Sequence, residues 1–139
     1  MIARIVATLV MLVTLAPLNV PSAQASVEPI VTVNSFFAAL NTGDHRAAVA
    51  AFTPDATAML ARGETYTGLD KISHMVGLME HPGTSYEIVY AHSTGDTVTV
   101  VVDVSYHGIR WGEDTIVLEV REGKVHTFRE KAFHLRLGA

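Results

Sequence analysis

The stretch NSFFAALNTGDHRAAVAAF, residues 34–52, decides how this chain is read. Ile30, Val33, Phe37 and Leu40 recur at helical spacing, and Phe36 widens the apolar stripe. Thr42-Gly43 ends that helix, because glycine accepts the left-handed conformation that closes one. Asp44 then caps a second helix, HRAAVAAF, which Pro54 is expected to stop. Two short helices joined by a tight turn present one apolar surface, and such a surface needs a flat partner.

The partner follows in the sequence. Ala56 to Leu60 reads as a short strand, and RGETYTG as a turn with another short strand. LDKISHMVGLM reads as a third helix, with Leu69, Ile72, Met75, Val76 and Met79 near helical spacing. After the break at HPGTS come YEIVYAH, TVTVVVDVSYHG, DTIVLEV and VHTFREKAFHLRL, with hairpin signals at Asp96 and Glu122-Gly123. Helices followed by a run of strands predict an α+β domain: a curved antiparallel sheet with three helices from the N-terminal half, enclosing a cone-shaped apolar pocket.

Upstream of the helices, residues 1–25 read as a signal peptide. Arg4 is the positive start, Ile5 to Leu18 is an apolar run broken only by Thr8, Thr14 and Pro17, and Ala23-Gln24-Ala25 is a small-x-small cleavage site. The run falls short of the roughly 20 residues of a spanning helix. The expectation is a secreted or periplasmic domain, residues 26–139, with no membrane association after removal of the segment.

The 139 residues contain no cysteine, which removes disulfides, thiolate metal sites and thiol nucleophiles. The net charge is −4 and the Lys and Arg residues are scattered, so no nucleic-acid partner is expected. The seven histidines form no His-x-His or His-x₃-His pair. His126 and His134 would lie about 26 Å apart along one strand. No metal site and no cofactor are expected.

The order of elements, with the signature FFAALNTGDHRAAVAAFTPDAT, then YTGLDKI, then GKV before a strand carrying Arg129-Glu130, resembles the nuclear-transport-factor-2-like superfamily, in its SnoaL-like and ketosteroid-isomerase-like branch. The resemblance spans the chain beyond residue 25. It implies the fold, while its function ranges from isomerases, cyclases and epoxide hydrolases to binders and dimerisation modules. Ketosteroid isomerases carry an oxyanion-binding tyrosine on the first helix, and the matching residue here is Phe36. Their base lies at the end of the first strand, where Leu60 stands. Their second acid lies on the penultimate strand, where Ile116 or a neighbour in TIVLEV is expected. None of the three roles is then filled, and steroid isomerisation is expected to be absent. The aspartate–arginine–aspartate arrangement of the epoxide hydrolases has no clear match.

Strand parity selects the inward side chains. Val98, Val100, Val102, Val104 and Tyr106 share one face, while Thr99, Asp103, Ser105 and His107 share the other, the face through which a homodimer would form. In the last strand Phe128, Glu130 and Ala132 share the inward face. The expected ligand-binding lining is therefore Phe36, Leu40, Phe52, Leu60, Met75, Val100, Val102, Val104, Tyr106 and Ala132. Glu130 is the one inward charge and the candidate catalytic acid or base. Trp111 is either a hairpin-end aromatic packed on its neighbours or a ring guarding the pocket mouth. Two functions follow: binding of a small apolar ligand or a partner protein without catalysis, or an isomerase, cyclase or hydrolase built on Glu130. A second polar group beside Glu130 would separate them.

Overall fold

The computed structural model describes residues 28–136, so the expected signal peptide, its cleavage point at Ser26 and the last three residues lie outside the described residues. The opening stretch folds as its pattern dictates. Helix α1, Pro29–Thr42, buries Val33, Phe36, Phe37 and Leu40. Gly43 closes it at φ 70°, a left-handed conformation that glycine adopts without a Cβ penalty. Asp44 caps α2, His45–Ala50, its Oδ1 accepting the Ala47 N–H at 3.1 Å.

Pro54 does not stop this second helix. The helix ends at Ala50, and strand β1 already runs over Phe52–Met59 with Pro54 inside it. The pairing of β1 jumps from Phe52↔Val125 to Thr57↔Thr127, so Pro54 sits in an irregular excursion where the ladder needs no N–H from it.

Strand β2, Thr65–Thr67, returns along β1, and helix α3, Leu69–Met79, then buries Ile72, Met75 and Val76. A meander of β3 (Thr84–Thr94), β4 (Thr97–Tyr106), β5 (Ile109–Arg121) and β6 (Lys124–Leu135) completes the chain. The sheet order is β2-β1-β6-β5-β4-β3. All neighbours are antiparallel except β1 and β6, which are parallel. The sequence-based expectation of an antiparallel sheet is corrected at that one pair, because β1 reaches β6 through a crossover containing α3 rather than a hairpin.

Bulges bend this sheet. Val89 in β3, Trp111 in β5, and His126 and Lys131 in β6 are each extra residues without a partner in the neighbouring ladder. The helices cover the concave side. Asn41, at the end of α1, brackets the Tyr86 backbone with both amide atoms, at 2.6 and 2.8 Å, and so fixes α1 across β3. Beneath the helices Phe36 stacks edge-on against Phe52 and Phe128, with centroids 5.2 and 6.1 Å away. This aromatic cluster fills the narrow end of the cone. Among the described residues no helix is long and apolar enough to cross a membrane.

Candidate functional site

The wide end of the cone is open. A cavity of about 600 Å³ lies between α3, the β1–β2 turn and the concave face of the sheet. Met75, Leu78 and Met79 come from α3, and Leu60, Ala61, Arg62 and Glu64 from the turn. The sheet contributes Tyr86, Val104, Trp111, Asp114, Phe128, Glu130 and Phe133.

Of the residues expected to line the pocket, Leu60, Met75 and Val104 do so, and Glu130 faces it as its parity predicts. Phe36, Leu40, Phe52, Val100 and Val102 are buried but lie in the packed core below the cavity, because the aromatic cluster leaves no space at that depth. Tyr106 lies beyond the rim, 42% exposed, with its ring against His81 and His107. It occupies the last β4 position before the His107-Gly108 turn, where the strand has left the cone. Ala132 does not line the cavity. Lys131 is a bulge: Glu130 pairs with Ile116 and Ala132 with Thr115, so parity flips and Phe133 turns inward instead.

Trp111 is not at a hairpin end. The chain reverses at His107-Gly108, and Trp111 lies within β5 as a bulge residue at the mouth. Its ring meets Phe133 at 6.1 Å. Gly112 makes room for this pair, since a Cβ there would come within 2.6 Å of the Phe133 ring.

The main correction is Asp114. The inward face of β5 carries Asp114, Ile116 and Leu118, so a carboxyl group that the sequence reading left out stands two residues before Ile116. Asp114 is only 9% exposed, and its Oδ1 is buried without a hydrogen-bond partner. Among the described residues neither Asp114 nor Glu130 forms an ion pair. Burial, then the charge of Glu130, pushes the Asp114 carboxyl from 3.8 up to about 7. Glu130 pairs with Ile116 across the ladder, and Asp114 stands two residues before Ile116, so the two carboxyls share one wall on either side of the Lys131 bulge. Tyr86 completes the polar set. Its hydroxyl donates to the Met79 carbonyl at 2.8 Å. Burial, then Asp114 and Glu130, raises the phenol above its ordinary range.

His74 lies beside Tyr66 in a separate depression, so neither it nor Tyr106 lines the cavity that Glu130 faces. Asp114 was legible as a polar residue at even spacing from Leu118. Reading the strand from Asp114 as its first residue, rather than from Ile109, left it at an apparent end.

The site is thus an aromatic-walled cavity with two carboxyl groups on its sheet wall, Asp114 and Glu130, and with Arg62 and Glu64 of the β1–β2 turn on the opposite lining. Among the described residues no group of three or more His, Asp or Glu is placed to hold a metal ion.

The sequence pattern of the SnoaL-like domain matches residues 33–132. No curated protein matches the chain. Among solved structures, a nuclear-transport-factor-2-like protein of unknown function from Cytophaga hutchinsonii is similar at TM-score 0.63 and 19% identity, over 76% of this chain and 88% of that one. A Catenulispora acidiphila protein with a ketosteroid-isomerase-like fold, in complex with trimethylamine, gives 0.63 and 21%, over 71% and 82%. An LEH-like epoxide hydrolase of Mycobacterium tuberculosis gives 0.62 and 20%, over 76% and 83%. At these identities the likeness establishes the fold.

Proposed function

Because the chain belongs to the SnoaL-like domain family, whose fold serves catalysts and binders alike, we propose that its cone takes up a small, largely apolar molecule and moves a proton on it. Glu130 is the base and Asp114 the acid. The observation that carries this reading is the second carboxyl, Asp114, buried and unpartnered in the same cavity as Glu130. A neutral carboxylic acid in an apolar wall donates to a developing oxyanion better than water does, and it costs no reorganisation when charge appears. A carboxylate on the neighbouring strand accepts the proton from the adjacent carbon or from a water. Trp111, Phe133 and Met79 supply the apolar surface that holds the substrate.

Phe36 and Leu60 still lack the donor and base of a ketosteroid isomerase, which favours a smaller carbonyl compound over a steroid. The same two residues also support the second reading, a binder without catalysis. Screening small apolar ketones, lactones and epoxides by thermal shift, then following solvent deuterium entry or ring opening, separates the two. Under the catalytic reading Glu130→Gln and Asp114→Asn keep binding and each lower turnover by about 10²–10⁴-fold. A ligand that binds and never turns over leaves the binder.

Export and homodimerisation through the outward face around Thr99, Val101, Asp103 and Ser105 belong to the same proposal. One preparation of exported protein tests both, by a mature mass beginning at Ser26 and a dimer's mass in light scattering. A full-length mass or a monomer overturns the corresponding part.

A further inference from the structure

A second constellation lies on the other side of α3 from the cone. At 100° per residue Ser73 points away from Met75, Leu78 and Met79, which line the cone. The Ser73 hydroxyl lies 2.9 Å from Nε2 of His45, the first residue of α2. Nδ1 of the same ring lies 2.7 Å from Oε2 of Glu80, at the C-terminal end of α3. The Glu80 side chain is 14% exposed, and its other oxygen is buried with no hydrogen-bond partner, so the ring is its single side-chain hydrogen-bond partner among the described residues. A neutral His45 that donates Nδ1–H to Glu80 presents the Nε2 lone pair to the Ser73 hydroxyl. Carboxylate, imidazole and hydroxyl therefore stand in the order that activates a serine, with each ring nitrogen facing the correct neighbour.

A cavity of about 490 Å³ opens onto Ser73 and His45. Val49, Phe52 and Leu69 give it an apolar wall, and Arg46 and Lys124 give it cations that form no ion pair among the described residues. His45 is 44% exposed, so the base is reachable from solvent.

We propose that Ser73, His45 and Glu80 form an acyl-transfer site that hydrolyses esters with a short apolar acyl chain, independently of the cone. The acyl chain lies against Val49 and Leu69. The Ser73 oxygen bonds to the ester carbon while its proton passes to His45 Nε2, and the carbonyl electron pair moves onto the carbonyl oxygen, beside Lys124 and Arg46. Collapse of that intermediate breaks the ester C–O bond, and the departing alkoxide takes the proton from Nε2. A water then repeats both steps on the acyl-serine and releases a carboxylic acid, so that one ester and one water become one alcohol and one acid. Glu80 is a positioning residue, acting through the ring.

Purified protein treated with a fluorophosphonate probe, and assayed with p-nitrophenyl butyrate, tests this. The expected result is phosphonylation located on the Ser73 peptide by mass spectrometry, and ester hydrolysis reduced to background in the nearly isosteric Ser73→Ala. Glu80→Gln is expected to lower kcat by about 10²–10⁴-fold with KM unchanged, which a residue that merely ties α2 to α3 would not do. An unlabelled Ser73, or hydrolysis by Ser73→Ala equal to that of the wild type, overturns the proposal. An unchanged kcat in Glu80→Gln removes Glu80 from it.

Discussion

The two ends of the cone share the same strands and the same inward face, yet they are built on opposite principles. At the narrow end Leu118 pairs with Phe128, and Phe36 and Phe52 close over them, so that apolar packing continues even across the His126 bulge. At the wide end, four residues along β5, Asp114 pairs with Phe133, and the bulges at Trp111 and Lys131 interrupt the ladder on either side. The first arrangement gains burial area and edge-to-face aromatic contacts. The second holds a carboxyl oxygen in the wall with nothing to bond, a cost of roughly 1–3 kcal/mol for such a group. A buried polar group that harms stability is an expected feature of a working site, and its distance from the aromatic cluster is what lets the fold tolerate it.

The largest effect should come from the narrow end. Phe52 is 1% exposed and touches both Phe36 and Phe128. Phe52→Ala removes a ring from a site hemmed in by other rings, and should cost about 3–5 kcal/mol in urea unfolding. Phe52 also borders the Ser73 cavity, so some collapse is available there. A loss below about 1 kcal/mol would mean that the narrow end is not the packed anchor of the domain.

At the wide end the sign reverses. The Asp114 carboxyl is raised from 3.8 to about 7 in the folded protein. Between those values the unfolded chain has lost the proton that the folded chain retains. The stabilising contribution is therefore fully present below about pH 4 and lost as pH rises through about 7. Asp114→Asn removes the titration. It should leave stability nearly unchanged at pH 4 and raise it on the order of 2 kcal/mol at pH 8, below the linkage limit because the cavity admits solvent. Denaturant midpoints at both pH values read this directly. A variant less stable at pH 8 would show that the carboxylate has a favourable partner in solution.

The same contrast explains what the sequence disclosed. The narrow end was legible because its signal is periodic: α1 at helical spacing, the even-numbered valines of β4, and the Gly43-Asp44 stop and start. Glu130 was legible for the same reason, since regular parity holds from Phe128 to Glu130. Beyond it the reading failed at once. A bulge inserts one residue and inverts every later side chain, and Lys131 has no local chemistry to announce it. Ala132 was therefore placed inside in place of Phe133. Asp114 was missed, and Trp111 left between two readings, through strand length, because β5 begins at Ile109, immediately after the turn. The Ser73–His45–Glu80 trio joins α2 to the middle and the C-terminal end of α3 across a separation in sequence of 28 and 35 residues, and no spacing rule reports such a contact.

The smallest energetic effect concerns the mouth, where it comes with a large signal. Trp111 is 57% exposed and is the only tryptophan in the chain. Its ring rests on Phe133 at 6.1 Å and otherwise meets solvent, so Trp111→Phe should change stability by less than about 0.5 kcal/mol. Trp111 nevertheless lines the cavity, and an apolar ligand entering there must replace water against the indole. Saturating ligand should shift the intrinsic fluorescence to shorter wavelength and raise the melting temperature over one concentration range. Trp111→Phe should retain the thermal shift with at most a modest loss of affinity, because Phe133, Met79 and Leu60 remain. A ligand that raises the melting temperature while the tryptophan spectrum stays fixed binds away from the mouth. The open end would then lose its claim to be the binding end, and the Ser73 cavity would be the next place to look.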